Sequence, residues 1–432
     1  MRIALPIVWS DRHRLHEPGG EVWIGVRTPG TEVPQRAEAI RDVLRDRDAT
    51  FVAAEPHPDE DLLAVHDAPL LDYLRTAWDE WDAAGLPADP GQARVVPYVF
   101  AHPGLTPHFA PTLPRATWAR PGYFAYDTMT LVGPGTWEAA RAAVDVALTA
   151  ADLVTGGPAA APGKGVEAGA AGAAGTIVEA GAAGAAPGAR AAAEAGEAHA
   201  GAAGAEAGEA HAGAAAAEAG ATDDPRAAAH PRAAYACCRP PGHHVTRSAY
   251  GGSSYHNNAA AAAAKLRARL GGPVAVIDID AHHGNGTQTI FYERADVLTG
   301  SVHVDPGAGW FPHFLGFGTE TGAGAGEGAN RNIALAPGSG DDDWLEAVTA
   351  LTAWAGDCRA TGLVVALGVD AAAGDPESPL RVTPDGYRRA GRALGALRLP
   401  TVLVQEGGYD LTTIGTLVAE TLAGVQEGMT RA

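Results

Sequence analysis

The sequence predicts an α/β protein in which a parallel β-sheet is covered by helices on both faces. Three observations point there. From residue 234 onward, short apolar runs alternate with stretches of helical period, the strand–helix–strand order that a parallel sheet requires. Runs such as PVAVIDI (273–279), apart from its Asp278, and LVVALGV (363–369) are apolar, as strands buried on both faces are. Four of the strands in this half end in histidine, aspartate or tyrosine, and the carboxyl end of such a strand is where an α/β sheet places its chemistry.

Taken in order, residues 1–8 read as a first strand and 10–31, rich in His, Arg, Gly and Pro, as a surface loop. A helix is expected over 34–46, opened by Pro34 with Ala37, Ile40 and Leu44 on its buried stripe. A second is expected over 62–81, and 87–117 is a proline-rich irregular loop containing His102 and His108. Thr136 is expected to cap a helix with Glu138 in its first turn and Val144, Ala147 and Ala151 on the apolar side. Between 156 and 233 the composition collapses to Ala, Gly and Glu, with VEAGAAGAA and EAGEAHAGAA each occurring twice. Such a stretch lacks the large apolar side chains needed for a core and reads as a flexible insertion within one domain spanning 1–432. His199 and His211 inside it read as incidental. Order returns with a strand at 234–238, a helix over 258–270 stopped by Gly271-Gly272-Pro273, and strands at 273–279 and 298–304. A glycine-rich loop to 332 follows, then a helix over 344–359, a strand at 363–369, a helix from 383 to 397 and a strand at 401–404.

The chain's 432 residues and 46% hydrophobic content suit one large domain or two ordinary ones. A net charge of -20 argues against nucleic-acid binding and favours cationic small molecules or basic peptides as partners. No apolar run is long enough for a membrane span, and the N-terminus has no signal-peptide pattern. Cys237, Cys238 and Cys358 cannot all pair with one another, which predicts a reduced, cytoplasmic protein.

The most informative stretch is DIDAHHGNGTQ, from Asp278. Residues two apart on a strand share a face, so Asp278 and Asp280 point the same way, with His282 just beyond. The other polar strand ends are His243-His244, Asp370 and Tyr409. One histidine, two aspartates and an open position suit a catalytic zinc, the paired histidines suit general base and acid, and the tyrosine hydroxyl suits a developing oxyanion.

RPPGHH, DIDAHHGNGTQ, GVDAAAGDP and EGGYD, in this order and spacing, resemble the histone deacetylase / acetylpolyamine amidohydrolase superfamily. VHDAPLLDYL and YDTMTLVGPGTWEAA extend the likeness more loosely toward the N-terminus. The resemblance implies an arginase-like fold around an eight-stranded parallel sheet, with Asp280, His282 and Asp370 as zinc ligands. It implies that His243, oriented by Asp278, and His244, partnered by Asn285, flank the attacking water, and that Tyr409 polarises the acyl carbonyl. A neutral partner such as Asn285 leaves His244 more readily neutral. Gly252 matches a tunnel-lining position. A K+ or Na+ site would use Asp278, Asp280, His282, Ser301 and Val302, although Ser301 equally suits a structural hydrogen bond.

The departures bear on substrate. Ser253 and Ser254 stand where the family carries an aromatic residue and cysteine, and Phe314 is assigned to the opposite wall. Glu377 occupies a position that is leucine in protein deacetylases and glutamate in the polyamine-specific branch; it also suits an ordinary exposed loop. Asp127 resembles a rim aspartate that holds substrate, and equally suits a turn. The expected activity is zinc-dependent removal of acetyl groups from cationic N-acetylated amines, with acetyllysine in proteins as the alternative substrate. A homodimer is expected from the acetylpolyamine relatives. A non-catalytic binding protein and a two-manganese ureohydrolase on the same fold are the rival readings.

Overall fold

The computed structural model describes residues 1–86, 94–157 and 230–430. The strands among them are β1 (Ile7–Trp9), β2 (Glu21–Trp23), β3 (Val26–Thr28), β4 (Phe51–Ala53), β5 (Ala233–Ala236), β6 (Val274–Asp278), β7 (Val297–Val304), β8 (Asn330–Leu335), β9 (Gly362–Leu367) and β10 (Thr401–Gln405). The helices are α1 (Gln35–Asp46), α2 (Asp59–Leu63), α3 (Ala68–Ala83), α4 (Pro121–Phe124), α5 (Thr136–Thr155), α6 (Asn258–Leu270), α7 (Asn285–Phe291), α8 (Asp341–Asp357), α9 (Pro384–Gly395) and α10 (Ile414–Thr430). Eight strands form one sheet in the order β4-β1-β5-β10-β9-β6-β7-β8. Every pairing in it is parallel. β2 and β3 make a separate antiparallel hairpin.

The strand residues divide by parity between two cores, which is why the central strands are apolar throughout. Ile277, Val365 and Leu403 pack on one face with residues of α1, α8, α9 and α10. Val276, Val364 and Val402 pack on the other against α5 and α6. Helix ends follow local chemistry. Asn257 accepts the Ala260 N–H at 2.8 Å to start α6, and Thr383 accepts the Gly386 N–H at 3.2 Å to start α9.

The structure differs from the sequence expectations in several places. The first strand is confined to Ile7–Trp9. The loop expected over 10–31 is partly interior, with His13 and His16 buried, and it contains the β2–β3 hairpin. The helix expected over 62–81 is two helices, α2 and α3, the second with Pro69 in its first turn. Gly135, not Thr136, caps α5; the Thr136 hydroxyl accepts the Gly133 N–H at 2.9 Å. The glycine-rich loop ends earlier than expected, in the edge strand β8. The insertion expected over 156–233 falls almost wholly on 158–229, outside the described residues. Among the described residues no helix is long and apolar enough to cross a membrane.

Candidate active site

The sheet order builds the site. β5, β10, β9 and β6 are consecutive neighbours, all parallel, so their carboxyl ends lie side by side. The segments leaving them carry His243 and His244, Tyr409, Asp370, and the Asp280–His282 pair respectively. Residues far apart in the chain thus meet at one edge of a rigid sheet.

Asp280, His282 and Asp370 each offer a ligand atom, and these atoms lie within 4.8 Å of one another. His282 Nδ1 is 3.2 Å from Asp280 Oδ1 and 3.0 Å from Asp370 Oδ2. The remaining oxygens are aimed by backbone amides: Asp370 Oδ1 accepts from Ala281 N–H at 2.7 Å, and Asp280 Oδ2 from Gly407 N–H at 2.7 Å. Both carboxylates are buried. Burial and the neighbouring Asp280 charge push Asp370 up to about 7. Burial opposes ionisation of Asp280 too, but the charge of His243 and the hydrogen bond from His282 hold it well below the usual carboxylate range. His282 is driven strongly toward its protonated form, burial being outweighed by its hydrogen bonds to both carboxylates. A cluster that draws a proton in this way demands positive charge, and one imidazole with two carboxylates is a donor set that fits a zinc ion with open positions.

The two histidines beside it differ in partner. His243 Nδ1 donates to Asp278 Oδ2 at 2.8 Å, while His244 Nδ1 lies 2.6 Å from Asn285 Oδ1; the ring centroids are 4.0 Å apart. Burial lowers both. At His243 the charges of Asp278 and Asp280 overcome it and raise the imidazole to about 10. At His244, burial together with the His243 and His282 charges leaves the ring well below its ordinary value. The two rings are thus biased in opposite directions, His243 toward the imidazolium and His244 toward the neutral imidazole, the separation that acid–base chemistry uses.

Tyr409 follows β10, and burial holds its phenol protonated. Beneath its ring lies a residue that the sequence reading used only as helix: Arg36, with its guanidinium 4.6 Å from the ring centroid. Arg36 donates to the Gly408 and Glu406 carbonyls, and its Nη1 meets Glu32 Oε1 at 3.0 Å. Glu32 also receives Arg239 Nη2, at 3.0 Å on Oε2. Glu406 accepts the Gly242 and His243 N–H groups at 2.6 and 3.1 Å, which fixes the loop bearing the histidines. A legible signal existed for Arg36. It occupies the buried stripe of α1 with Ile40 and Leu44, four and eight residues on, where a charge needs a partner.

At the rim the expected residues fare differently. Gly252 has φ +59°, and a Cβ there would come within 2.3 Å of His244 Cδ2, so only glycine lets this backbone reach the imidazole. Asp127 is engaged within the chain: Oδ2 accepts the Gly252 N–H at 2.6 Å and the Thr130 hydroxyl, and Oδ1 accepts the Met129 and Thr130 N–H groups. It shapes the Gly252 turn and leaves the rim role expected of it without a free oxygen. Phe314, expected at the opposite wall, is 87% exposed; the aromatic of this loop that meets the site is Phe311, whose ring stands edge-on to His244 at 4.9 Å and stacked on Tyr126 at 6.2 Å. Ser301, paired in register with Asp278, lies 2.9 Å from His303 Nδ1 and lines, with Asp278, a water-sized cavity of about 10 Å³; Val302 follows it on β7. Glu377 is half-buried and takes the Thr31 hydroxyl at 2.9 Å.

Fold and site together define a class: α/β enzymes whose polar strand ends assemble a metal-fit acid–imidazole–acid cluster beside paired histidines. The histone deacetylase domain model matches residues 30–425, and the chain belongs to that family. The chain is 33% identical over 420 residues to an acetylpolyamine amidohydrolase of Mycoplana ramosa, covering 97% of this chain and 99% of that one. It is 32% identical to acetylpolyamine amidohydrolase 1 of Pseudomonas aeruginosa, covering 97% and 98%. Among solved structures, the acetylpolyamine aminohydrolase of Burkholderia pseudomallei superposes with a TM-score of 0.76 at 30% identity, covering 98% and 99%. The HDA15 HD domain, at 22% identity and a TM-score of 0.66, shares the fold.

Proposed function

We propose that the chain is a zinc-dependent amidohydrolase that removes the acetyl group from N-acetylated amines of the acetylpolyamine type. The observation that carries the reading is the convergence of Asp280, His282 and Asp370 within 4.8 Å, in a chain similar along its length to curated acetylpolyamine amidohydrolases. Asp280, His282 and Asp370 hold the metal, which when bound supplies Lewis acidity toward the acyl oxygen and acidifies water. His244 is the neutral imidazole. It takes the proton released as water adds to the acyl carbon and gives it to the departing nitrogen, so that the C–N bond breaks to leave acetate and an amine. His243 stays protonated against Asp278 and stabilises the negative charge that develops on oxygen. The Tyr409 hydroxyl donates to the same oxygen. A K+ or Na+ ion near Asp278, Asp280, His282, Ser301 and Val302 belongs to the same proposal. Three unpaired cysteines support a cytoplasmic setting.

For substrate, the supporting residue is Glu377, a rim carboxylate held by Thr31 and suited to a distal ammonium. The test compares an acetylspermidine-type amine with an acetyllysine peptide. Glu377→Leu is expected to shift kcat/KM toward the peptide by about tenfold, the worth of one charge-assisted contact. Equal relative turnover of the two before and after the change would refute the polyamine preference.

A further inference from the structure

Asp375 is buried, 6% exposed, in the loop that leaves β9 five residues after Asp370, and no role has yet fallen to it. Its carboxylate gathers the backbone of two segments. Oδ1 accepts the Glu377 N–H at 3.0 Å, and Oδ2 accepts the Tyr409 N–H at 2.7 Å and the Asp410 N–H at 3.3 Å. A single carboxylate therefore holds the main chain at both Glu377 and Tyr409. The Glu377 residue is tied at its other ends too: its carbonyl accepts from Trp310 Nε1 at 3.1 Å, and its carboxylate accepts from Thr31 Oγ1. Of these ties only the one to the Asp375 carboxylate is shared with Tyr409.

We propose that Asp375 is a positioning residue that couples the amine-facing Glu377 to Tyr409, so that contact with a distal ammonium improves the placement of the phenol at the acyl oxygen. This rests on the reading of Glu377 and Tyr409 given above. The chemical reason is general: binding energy from a remote part of a substrate raises turnover only when it is realised at the reacting atoms, and a carboxylate shared by both loops provides a path. Asparagine at 375 would keep the size but replace one acceptor oxygen with an NH2 group, setting donor against donor on one of the two loops.

The experiment uses the intact zinc-loaded protein and two probes: a monoacetylated diamine with a free ammonium, and the N-alkylacetamide of equal length ending in methyl. Wild type, Glu377→Gln, Asp375→Asn and the double variant are compared, with metal content and circular dichroism reporting the fold. In wild type the cationic probe is expected to have the higher kcat, by about tenfold, and not only the lower KM. Glu377→Gln removes that kcat advantage. Asp375→Asn lowers kcat for the neutral probe by about tenfold and abolishes the advantage, and adding Glu377→Gln then changes the ratio no further. An unchanged kcat for the neutral probe in Asp375→Asn, or an equal effect of Glu377→Gln in both backgrounds, overturns the proposal. If Glu377→Gln is silent in wild type, the amine reading of Glu377 fails and the coupling fails with it, whereas a fall in kcat on the neutral probe still marks Asp375 as the support of Tyr409. Should Asp375→Asn not fold, Asp375→Glu, which keeps the charge and moves the acceptors by one methylene, reads the same two quantities.

Discussion

At the floor of the site, Asp280 and Asp370 leave adjacent strands, and each of their four carboxylate oxygens has a partner on the chain, from His282 or from the amides of Ala281, His282 and Gly407. At the rim, Glu377, Phe311 and Gly252 sit on loops. Their positions depend on meetings between distant segments, such as Thr31 with Glu377 across 346 residues of sequence. The metal-fit carboxylates are therefore held by the sheet and its amides, whereas the rim residues are held by long-range meetings of loops. The two parts are held differently and meet at Asp375, whose carboxylate accepts the backbone N–H groups of both Glu377 and Tyr409.

The largest effect that sharpens this contrast belongs to the floor. Tyr409→Phe is expected to lower kcat by roughly 10²–10³-fold with KM and metal content nearly unchanged, measured by steady-state kinetics and metal analysis. A comparable rise in KM would place Tyr409 in substrate binding and blur the division. For the aromatic residues of the rim the expected changes are smaller and fall on KM. Phe311→Ala should raise KM about fivefold, the worth of one aromatic contact, whereas Phe314→Ala should stay within about twofold. The reverse order would restore Phe314 as the wall.

The smallest effect lies away from both regions and serves as a control. Burial would lower the His57 imidazole, but its hydrogen bonds to Asp145 and Asp152 prevail and raise it to about 9. A folded-state value above the unfolded one stabilises the protein fully below about pH 6.5, and that contribution disappears as pH rises through about 9. His57→Gln should therefore lower stability by roughly 1 kcal/mol at pH 6 and leave it nearly unaltered at pH 10, read from thermal melts, with kcat unchanged at pH 7.

The same division governs what the sequence could disclose. Asp278, Asp280 and His282 are close in sequence on one strand end, so alternation alone put the two aspartates on one side, and the continuous apolar runs announced buried parallel strands around them. β8 stayed hidden because its sequence, NRNIAL, mixes asparagine and arginine with few apolar residues at the sheet edge, and β4 has only three residues. At the rim, Phe311 and Phe314 lie three apart in an irregular loop, where no periodicity says which ring turns inward. Asp127 suits a rim or a turn by sequence; its bonds to the Met129 and Thr130 amides are those of a turn, and only its bond to Gly252, 125 residues away, had no local sign. Long-range hydrogen bonds of this kind leave no local pattern to read.

The central claim is that Asp280, His282 and Asp370 form one metal site, and metal analysis of purified protein beside Asp370→Asn tests it most directly. About one zinc per chain in wild type, with activity lost to a chelator and restored by zinc, and markedly less metal in Asp370→Asn, is the predicted result. Two manganese ions per chain, or full zinc retention by Asp370→Asn, would contradict it.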